Sequence, residues 1–376
     1  MMDNFENNLE MQILDFATDK RSEWEKNHKL YSVVFELTPN CNFNCVHCYL
    51  CNHHSSKELS FGEIVEILDI LYDKGVLFVT FTGGDIFTRS DFLQIYLYAK
   101  KKGFIIELYT NGALIDDNII KVLQKYPPLL VDISLYGANE NTYKKVTGVS
   151  GAYKKVINAI DKLIESGIRV SLKAPILNLY LDELDEMKRI ATDRGIAFRA
   201  GFEISPSIDN DNSIQKYQVD DYNGLKYEFT EYKDRPKKWL DSDWLSNNGV
   251  MLVNLKRDKP LFRCKLGRSS CVIDYEGKLC PCMSFKHIGV KITKDNFDET
   301  WNSFRVYQDF KAHDDYKCLS CKAYDLCDIC PAMMDFVHNN MEYVDEHFCR
   351  IAKARYEFYI EQKPIEHILH NLKNIN

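Results

Sequence analysis

The sequence predicts an α/β protein built on a parallel sheet and followed by a small cysteine-rich domain. Between residues 31 and 200, six β-branched and aromatic segments alternate with amphipathic helical segments. Four of these helices end in a glycine directly before the next strand, which is typical of a left-handed helix C-cap. The cysteines cluster over Cys41–Cys51 and again over Cys264–Cys349, which separates the second domain from the first.

The first strand is predicted over Tyr31–Leu37, and the helix after it begins at the capping box Ser60–Glu63 and ends at Gly75. The later strands are predicted at Val76–Phe81, Phe104–Tyr109, Leu129–Leu135, Ile168–Lys173 and Ile196–Ala200, and the later helices at Phe92–Lys102, Asp116–Lys125, Tyr153–Ser166 and Leu181–Arg194. Such alternation implies parallel pairing with right-handed crossovers. It leaves open a doubly wound sheet or an incomplete (β/α)6 barrel.

Composition narrows the function classes. The 376 residues are 45% hydrophobic and 27% charged, as in a globular protein of two domains or of one barrel-sized domain with an appendage. The net charge of −7 disfavours nucleic-acid binding, and we find neither a membrane-spanning apolar run nor a signal peptide. We therefore expect a cytoplasmic protein. In that reducing compartment, 13 cysteines indicate metal or redox chemistry rather than disulfides.

Distinctive residues follow five of the predicted strands. They are the cysteine loop that begins at Cys41, then Thr82–Asp85, Thr110–Gly112, Ser134 and Lys173. Because chemistry in parallel α/β folds gathers at the carboxyl ends of strands, we expect these features to cluster on one face. Taken alone, Ser134 and Lys173 are ordinary strand-end residues.

The loop cysteines Cys41, Cys45 and Cys48 suit a 4Fe–4S cluster in which one iron has no protein ligand. A structural zinc site with Cys51 as the fourth ligand is the alternative.

In the second motif, Gly83 and Gly84 would let the backbone approach a ligand closely, and Asp85 would accept a hydrogen bond from an amino group. The alternative is a turn in which Asp85 caps a backbone amide.

These motifs resemble those of the radical S-adenosylmethionine (radical SAM) enzymes. The Cys41-x3-Cys45-x2-Cys48 spacing is similar to their signature, with His47 at the usual aromatic position. Thr82–Asp85 resembles their GGE motif with Asp in place of Glu, and the run from Ile133 to Gly151 resembles their fourth-strand region. The resemblance extends over about residues 31–200 and implies the incomplete barrel, a partial (β/α)6 TIM barrel.

The resemblance also implies a chemistry. The open iron chelates S-adenosylmethionine, one electron cleaves its C5′–S bond, and the 5′-deoxyadenosyl radical abstracts hydrogen from the substrate. An external donor such as flavodoxin or ferredoxin would supply the electron. The implied cofactor contacts are Asp85 to the methionyl amino group, Ser134 to the ribose and Lys173 to the carboxylate, with His47, Gly83, Gly84 and Asn111 also at the cofactor. No catalytic acid or base is identified.

The C-terminal cysteines are similar to the SPASM extension of these enzymes, a small domain with two auxiliary 4Fe–4S clusters. The last spacing of the run is x2, where the family has x3. The resemblance implies one cluster on Cys264, Cys282 and Cys330, with Cys271 or else Cys280 as fourth ligand, and a second cluster on Cys318, Cys321, Cys327 and Cys349. With the radical cluster this makes three. A zinc-ribbon-like module is the alternative.

Cys280 and Cys282 alternate along a predicted strand, Lys278–Cys282, so their side chains should point to opposite faces. We therefore expect Cys280, like Cys51, to be a packed residue rather than a ligand. The expected segments are an N-terminal extension, the partial barrel, a bridge, the SPASM domain, and a C-terminal helix and tail, at residues 1–30, 31–200, 201–262, 263–350 and 351–376. The terminal helix is expected over residues 355–376.

SPASM-bearing relatives mostly modify ribosomally made peptides or proteins, by thioether or carbon–carbon crosslinks or by side-chain oxidation. The leading expectation is therefore an oxidative peptide maturase whose fully ligated auxiliary clusters transfer electrons rather than bind a substrate thiolate. The 40 residues before Cys41 are too few for a winged-helix recognition domain, so the bridge or a separate protein would recognise a leader peptide. Biosynthesis of a small molecule such as a tetrapyrrole, and a non-catalytic iron–sulfur scaffold, are the alternatives. A sulfatase-maturing role is disfavoured, since Met283 rather than Asp follows Cys282.

Overall fold

The computed structural model describes residues 20, 23–50, 57–209, 212–231, 261–264 and 266–373. Six of its strands pair in parallel in chain order, and they are β1 (Ser32–Thr38), β2 (Phe78–Gly83), β3 (Ile105–Thr110), β4 (Leu130–Ser134), β5 (Val170–Pro175) and β6 (Ala197–Gly201). The predicted parallel α/β sheet is confirmed, and each strand lies within two residues of its expected start.

Helices connect these strands, namely α1 (Phe61–Asp73), α2 (Phe92–Lys102), α3 (Asp117–Lys125), α4 (Glu140–Thr147), α5 (Ala152–Glu165) and α6 (Leu184–Thr192). The capping box at Ser60 is present, and the glycine that ends α2, Gly103, has a φ of 91°. The sequence analysis did not predict α4. Apolar side chains from the strands and the inner helix faces form one core, so the strand ends are rigidly placed.

The cysteine-rich region extends the same sheet. Its strands are β7 (Ser270–Ile273), β8 (Lys278–Cys280) and β9 (Val290–Lys291), and β7 pairs in parallel with β1. The nine described strands therefore run in the order β6-β5-β4-β3-β2-β1-β7-β8-β9. Because β1 is paired on both sides, the chain before the cysteine loop lies between the partial barrel and the C-terminal region.

The remaining described helices are α7 (Asp221–Glu231), α8 (Phe297–Ser303), α9 (Pro331–His338), α10 (Glu346–Tyr359) and α11 (Ile365–Lys373). The region 355–376, expected to be one terminal helix with a polar tail, instead contains the end of α10 and then α11, because Pro364 separates the two helices. Four of the C-terminal cysteines, Cys282, Cys318, Cys327 and Cys330, lie in or against a second apolar core, which includes Phe285, Tyr324 and Phe348.

Several predictions fall on residues outside the described ranges: Cys51, most of the N-terminal extension and half of the bridge. Within the described ranges, no helix is long and apolar enough to span a bilayer.

Candidate active site

The carboxyl ends of the parallel strands surround a cavity of about 650 Å³. Its walls include the three loop cysteines and most of the other residues that the sequence analysis selected at strand ends. These wall residues are Cys41, Cys45, His47, Cys48, Gly83, Gly84, Asn111, Ser134 and Lys173. Of the predicted cofactor contacts, Asp85 is missing from the walls. The strand-end rule therefore predicted residues that share one cavity, and the structure adds how each residue is held there.

The environment of the loop cysteines keeps the thiols of Cys41 and Cys45 protonated. Burial raises the pKa of Cys41 to about 12, and it raises the pKa of Cys45 as well, with further increases from the neighbouring thiols. Cys41 Sγ also accepts hydrogen bonds from the backbone N–H of Phe43, at 3.4 Å, and from Asn111 Nδ2, at 3.7 Å. A buried thiol with so high a pKa stays protonated until a metal displaces the proton. The donor set therefore fits an iron–sulfur cluster.

The glycine pair packs against the chain that leads into this loop. Gly84 N donates to Thr38 O and Asp85 N donates to Asn40 O, each at 2.8 Å. A Cβ on Gly84 would lie 2.2 Å from Asn40 O, a contact that real Cβ atoms do not make. The sequence analysis expected close approach to a ligand, whereas the structure shows that the missing Cβ serves contact with residues 38–40. Both glycines still line the cavity.

Asp85 is almost fully buried behind the cavity wall. Its Oδ1 accepts from the backbone N–H of Phe87, at 3.0 Å, so that Asp85 caps a short 3-10 turn. Its Oδ2 accepts from Thr110 Oγ1 at 2.7 Å and from the backbone N–H of Asn111 at 2.8 Å. Burial raises the pKa of the carboxyl, while these donors lower it. The structure therefore shows the alternative that the sequence analysis left open, a turn in which Asp85 caps a backbone amide.

A row of polar side chains crosses the opposite wall. Ser134, Lys173 and Arg199 are cross-strand neighbours on β4, β5 and β6. The fully buried Asp132 contacts both cations, with its Oδ2 3.0 Å from Lys173 Nζ and 2.5 Å from Arg199 Nη2. Lys173 Nζ also lies 3.4 Å from the centroid of the Tyr109 ring. Because two cations share one carboxylate oxygen, this wall favours an anionic group of a ligand.

Arg199 was missed in the sequence analysis. It occupies the end of the sixth predicted strand, so the rule that selected Lys173 at the end of the fifth strand would also have selected Arg199.

His47 offers a polar atom to the cavity. Burial lowers its pKa to about 4, so the imidazole is neutral near pH 7. The ring packs against Tyr136 with centroids 5.2 Å apart. Its Nδ1 is buried and has no hydrogen-bond partner among the described residues. An orphaned polar atom in a cavity wall fits a bound ligand, as predicted for a cofactor contact.

The C-terminal cysteines form two groups. Cys264 and Cys330 both raise the pKa of Cys282, so these three thiols interact electrostatically. Cys318, Cys321, Cys327 and Cys349 form the other group: Cys349 and Cys321 raise the pKa of Cys318, Cys318 raises the pKa of Cys327, and Cys321 raises the pKa of Cys349.

Cys271 does not join the first group. It lies on β7 opposite Val33 of β1 and is buried in the barrel core, and burial and Cys280 are what raise its pKa. The pairing of β7 with β1, which the spacing of the cysteines does not reveal, is the physical reason. Cys280 is fully buried and donates from Sγ to Lys278 O, at 3.6 Å, so it is packed between backbone groups.

Family comparisons match the two parts of the chain. A model of the radical SAM superfamily matches residues 35–192, and a model of SPASM, an iron–sulfur cluster-binding domain, matches residues 264–331. The chain contains a radical SAM domain and a SPASM domain. Its fold class, a partial barrel with a C-terminal SPASM region, is thereby confirmed, and S-adenosylmethionine and iron–sulfur clusters are the cofactors that these two domains support.

Relatives of this radical SAM protein have diverse roles. The AdoMet-dependent heme synthase of Methanosarcina barkeri is 24% identical over 80% of this chain and 90% of its own. The antilisterial bacteriocin subtilosin biosynthesis protein AlbA of Bacillus subtilis is 26% identical over 74% of this chain and 61% of its own. Among solved structures, Streptococcus suis SuiB bound to S-adenosylmethionine superposes with a TM-score of 0.65 at 17% identity, over 92% of this chain and 88% of SuiB. SuiB was also solved with its precursor peptide SuiA.

Proposed function

We propose that this radical SAM protein oxidatively modifies a ribosomally made peptide or protein, by a thioether or carbon–carbon crosslink or by oxidation of a side chain. The observation that carries the proposal is the extended shape of the space around the site. The barrel cavity shares Glu203, Ile204 and Ser205 with a second cavity of about 720 Å³, and it shares Tyr49 and Ser205 with a third of about 460 Å³.

Ser205 borders all three cavities, and Cys330 and Met333 line the second. The space therefore leads from the loop cysteines towards an auxiliary cysteine. An extended peptide can occupy such a space, with one side chain in the barrel and its neighbours outside. Methionines such as Met333 suit this use, because their flexible side chains adapt to varied partners.

When bound, the loop cluster and S-adenosylmethionine supply a 5′-deoxyadenosyl radical. The chain's own residues orient the reactants. Lys173 and Ser134 hold anionic and hydroxyl groups of the cofactor, and His47 Nδ1 accepts or donates one hydrogen bond. Phe43 and Tyr136, whose ring centroids are 6.4 Å apart, keep water from the cysteines. Cys264, Cys282 and Cys330 would hold one auxiliary cluster through three cysteine ligands, and Cys318, Cys321, Cys327 and Cys349 would hold a second. The second cluster, with four cysteine ligands, would take up the second electron, and an external flavodoxin or ferredoxin would donate the first.

The relatives support a peptide substrate, since AlbA is named for bacteriocin biosynthesis and SuiB binds a precursor peptide. A separate leader-binding protein is proposed as a further partner, because among the described bridge residues only Gly201, Glu203, Ile204 and Ser205 line the barrel cavity.

The test is anaerobic reconstitution followed by incubation with S-adenosylmethionine, reductant and candidate peptides. We expect 5′-deoxyadenosine, a two-hydrogen mass loss in the peptide, and deuterium in 5′-deoxyadenosine when the attacked carbon is labelled. A variant with Cys41, Cys45 and Cys48 all changed to alanine should do none of this while keeping its auxiliary iron. If 5′-deoxyadenosine fails to form in a fully loaded sample, the chain is a non-catalytic scaffold.

A second candidate, modification of a tetrapyrrole, is favoured by the two cations on one wall. If the carboxylate of S-adenosylmethionine occupies Lys173, then Arg199, whose side chain is 55% exposed, is left for a carboxylate of the substrate. Tetrapyrroles that carry propionates meet this requirement. Replacing Arg199 with glutamine should raise the KM for such a substrate at least tenfold with uncoupled 5′-deoxyadenosine formation unchanged. A peptide that reacts while every tetrapyrrole stays unaltered would eliminate this candidate.

A further inference from the structure

We propose that Asp85 is a positioning residue that does not contact S-adenosylmethionine. It fixes Asn111 so that the side-chain amide of Asn111 stays bonded to the Cys41 sulfur. The inference concerns the cofactor site and holds whichever substrate the enzyme modifies.

The first step is the set of bonds that Asp85 already makes. Its two carboxylate oxygens accept from three donors, which belong to Phe87, Thr110 and Asn111, at 2.7–3.0 Å. The side chain is buried and absent from the cavity wall, whereas Thr110 and Asn111 line that wall. The carboxylate therefore supports the wall from behind.

The second step is what Asp85 holds in place. The backbone N–H of Asn111 is bonded to Asp85, and the side chain of Asn111 is fixed at both ends. Its Oδ1 accepts from the N–H of Ala113 at 3.0 Å, and its Nδ2 donates to Asn42 Oδ1 at 2.8 Å and to Cys41 Sγ at 3.7 Å. A continuous chain of hydrogen bonds thus runs from Asp85 to the first cysteine of the loop.

The third step is electrostatic. Hydrogen bonds to cysteine sulfur are among the factors that set the reduction potential of an iron–sulfur cluster, because they disperse the negative charge of the thiolate. Removing the Asn111 donor concentrates charge on Cys41 and should make the potential of the loop cluster more negative. Loss of the Thr110 bond to Asp85 should act in the same direction and more weakly, because it loosens the backbone of Asn111 but leaves the amide present.

The length of Asp85 fits this role. Its short side chain reaches Phe87 N, two residues on, as a capping residue must. Glutamate at this position would carry the carboxylate one methylene farther and lose the cap. Asp85→Glu should therefore weaken the site, although glutamate is the residue that the resembled motif contains.

The experiment uses the full-length, fully reconstituted enzyme and four variants: Asp85→Asn, Thr110→Val, Asn111→Ala and, as a control that removes a threonine hydroxyl elsewhere in the barrel, Thr80→Val. Two quantities are measured without any substrate. They are the Kd for radiolabelled S-adenosylmethionine and the midpoint potential of the cluster whose electron paramagnetic resonance signal changes when S-adenosylmethionine is added.

We expect more negative potentials for Asn111→Ala, Thr110→Val and Asp85→Asn than for the wild type, with Kd changes below about threefold for Thr110→Val and Asp85→Asn. Thr80→Val should match the wild type. A direct contact would give the opposite pattern, since loss of a charge-assisted hydrogen bond weakens binding by about tenfold or more. A Kd raised that far by Asp85→Asn, with the potential unmoved in Thr110→Val, would overturn the proposal. Thr110→Val keeps Asp85 intact, so the proposal remains testable even if Asp85→Asn fails to bind iron.

Discussion

Replacing Lys286 with methionine should destabilise the junction between the SPASM region and the barrel. Lys286 Nζ lies 2.5 Å from Oε1 of Glu36, a β1 residue with no exposed side-chain surface, and Tyr49 donates to the same oxygen at 2.8 Å. The other carboxylate oxygen, Oε2, is buried without a hydrogen-bond partner in the described structure. Removal of Lys286 therefore leaves a buried carboxylate with no neutralising charge.

Breaking a buried ion pair by removing one partner costs about 3–5 kcal/mol. Because 16% of the Lys286 side chain remains exposed, water can enter and the lower part of that range applies. In a chain longer than about 250 residues, each kcal/mol lowers Tm by about 2 °C, so the variant should melt about 6–8 °C below the wild type. Adding Glu36→Gln removes the buried charge but keeps an oxygen for Tyr49, and should recover most of that loss.

The assay is anaerobic thermal unfolding at a fixed scan rate, because loss of clusters makes unfolding irreversible. Lys291→Met is the matched control, since Lys291 is 64% exposed and its nitrogen lies 3.9 Å from Glu63, so its Tm should change by less than about 1 °C. Equal melting of the two lysine variants would refute the reasoning. So would a Glu36→Gln/Lys286→Met double variant no more stable than Lys286→Met alone.

The other predictions concern iron content after identical reconstitution. Cys271→Ala should retain the wild-type iron, because Cys271 packs in the barrel core, whereas Cys282→Ala should lose about four irons per chain; an equal loss in both would place Cys271 among the ligands. Gly84→Ala should lose the loop cluster, because its Cβ would lie 2.2 Å from Asn40 O. Gly62→Ala, which has no atom within 4 Å of the added Cβ, should bind iron normally, and comparable iron in both glycine variants would contradict the close-approach argument.

The barrel was predictable because its signals are local. Each strand is one apolar run, and a glycine that ends a helix, such as Gly103, indicates that the next strand begins. The strand β7 was missed because four residues carry little periodic signal, and its partner β1 lies far away in the sequence. That omission also explains the error on Cys271, since cysteine spacing does not show the face of a strand on which a thiol lies.

In the candidate site, the same limit of sequence-based prediction applies to single side chains. The motif around Asp85 identified the right turn, but only the fold shows that its carboxylate faces Thr110 and Asn111 instead of the cavity. The strand-end rule also applied to Arg199, but the sequence analysis did not select this residue. Sequence patterns do not show the direction in which each side chain points. That direction depends on packing between strands that are far apart in the sequence.

The cysteine loop is held by three different parts of the molecule. The Gly83–Gly84 turn contacts the chain at its start, Asn111 bonds Cys41, and Tyr49, which follows Cys48, bonds Glu36. Glu36 in turn pairs with Lys286 of the C-terminal region. None of these contacts is local, so the geometry of the loop depends on the pairing of β1 with β2 on one side and with β7 on the other. The three-cysteine motif therefore cannot define the loop geometry alone, because the C-terminal region contributes through the pairing of β7 with β1 and through Lys286.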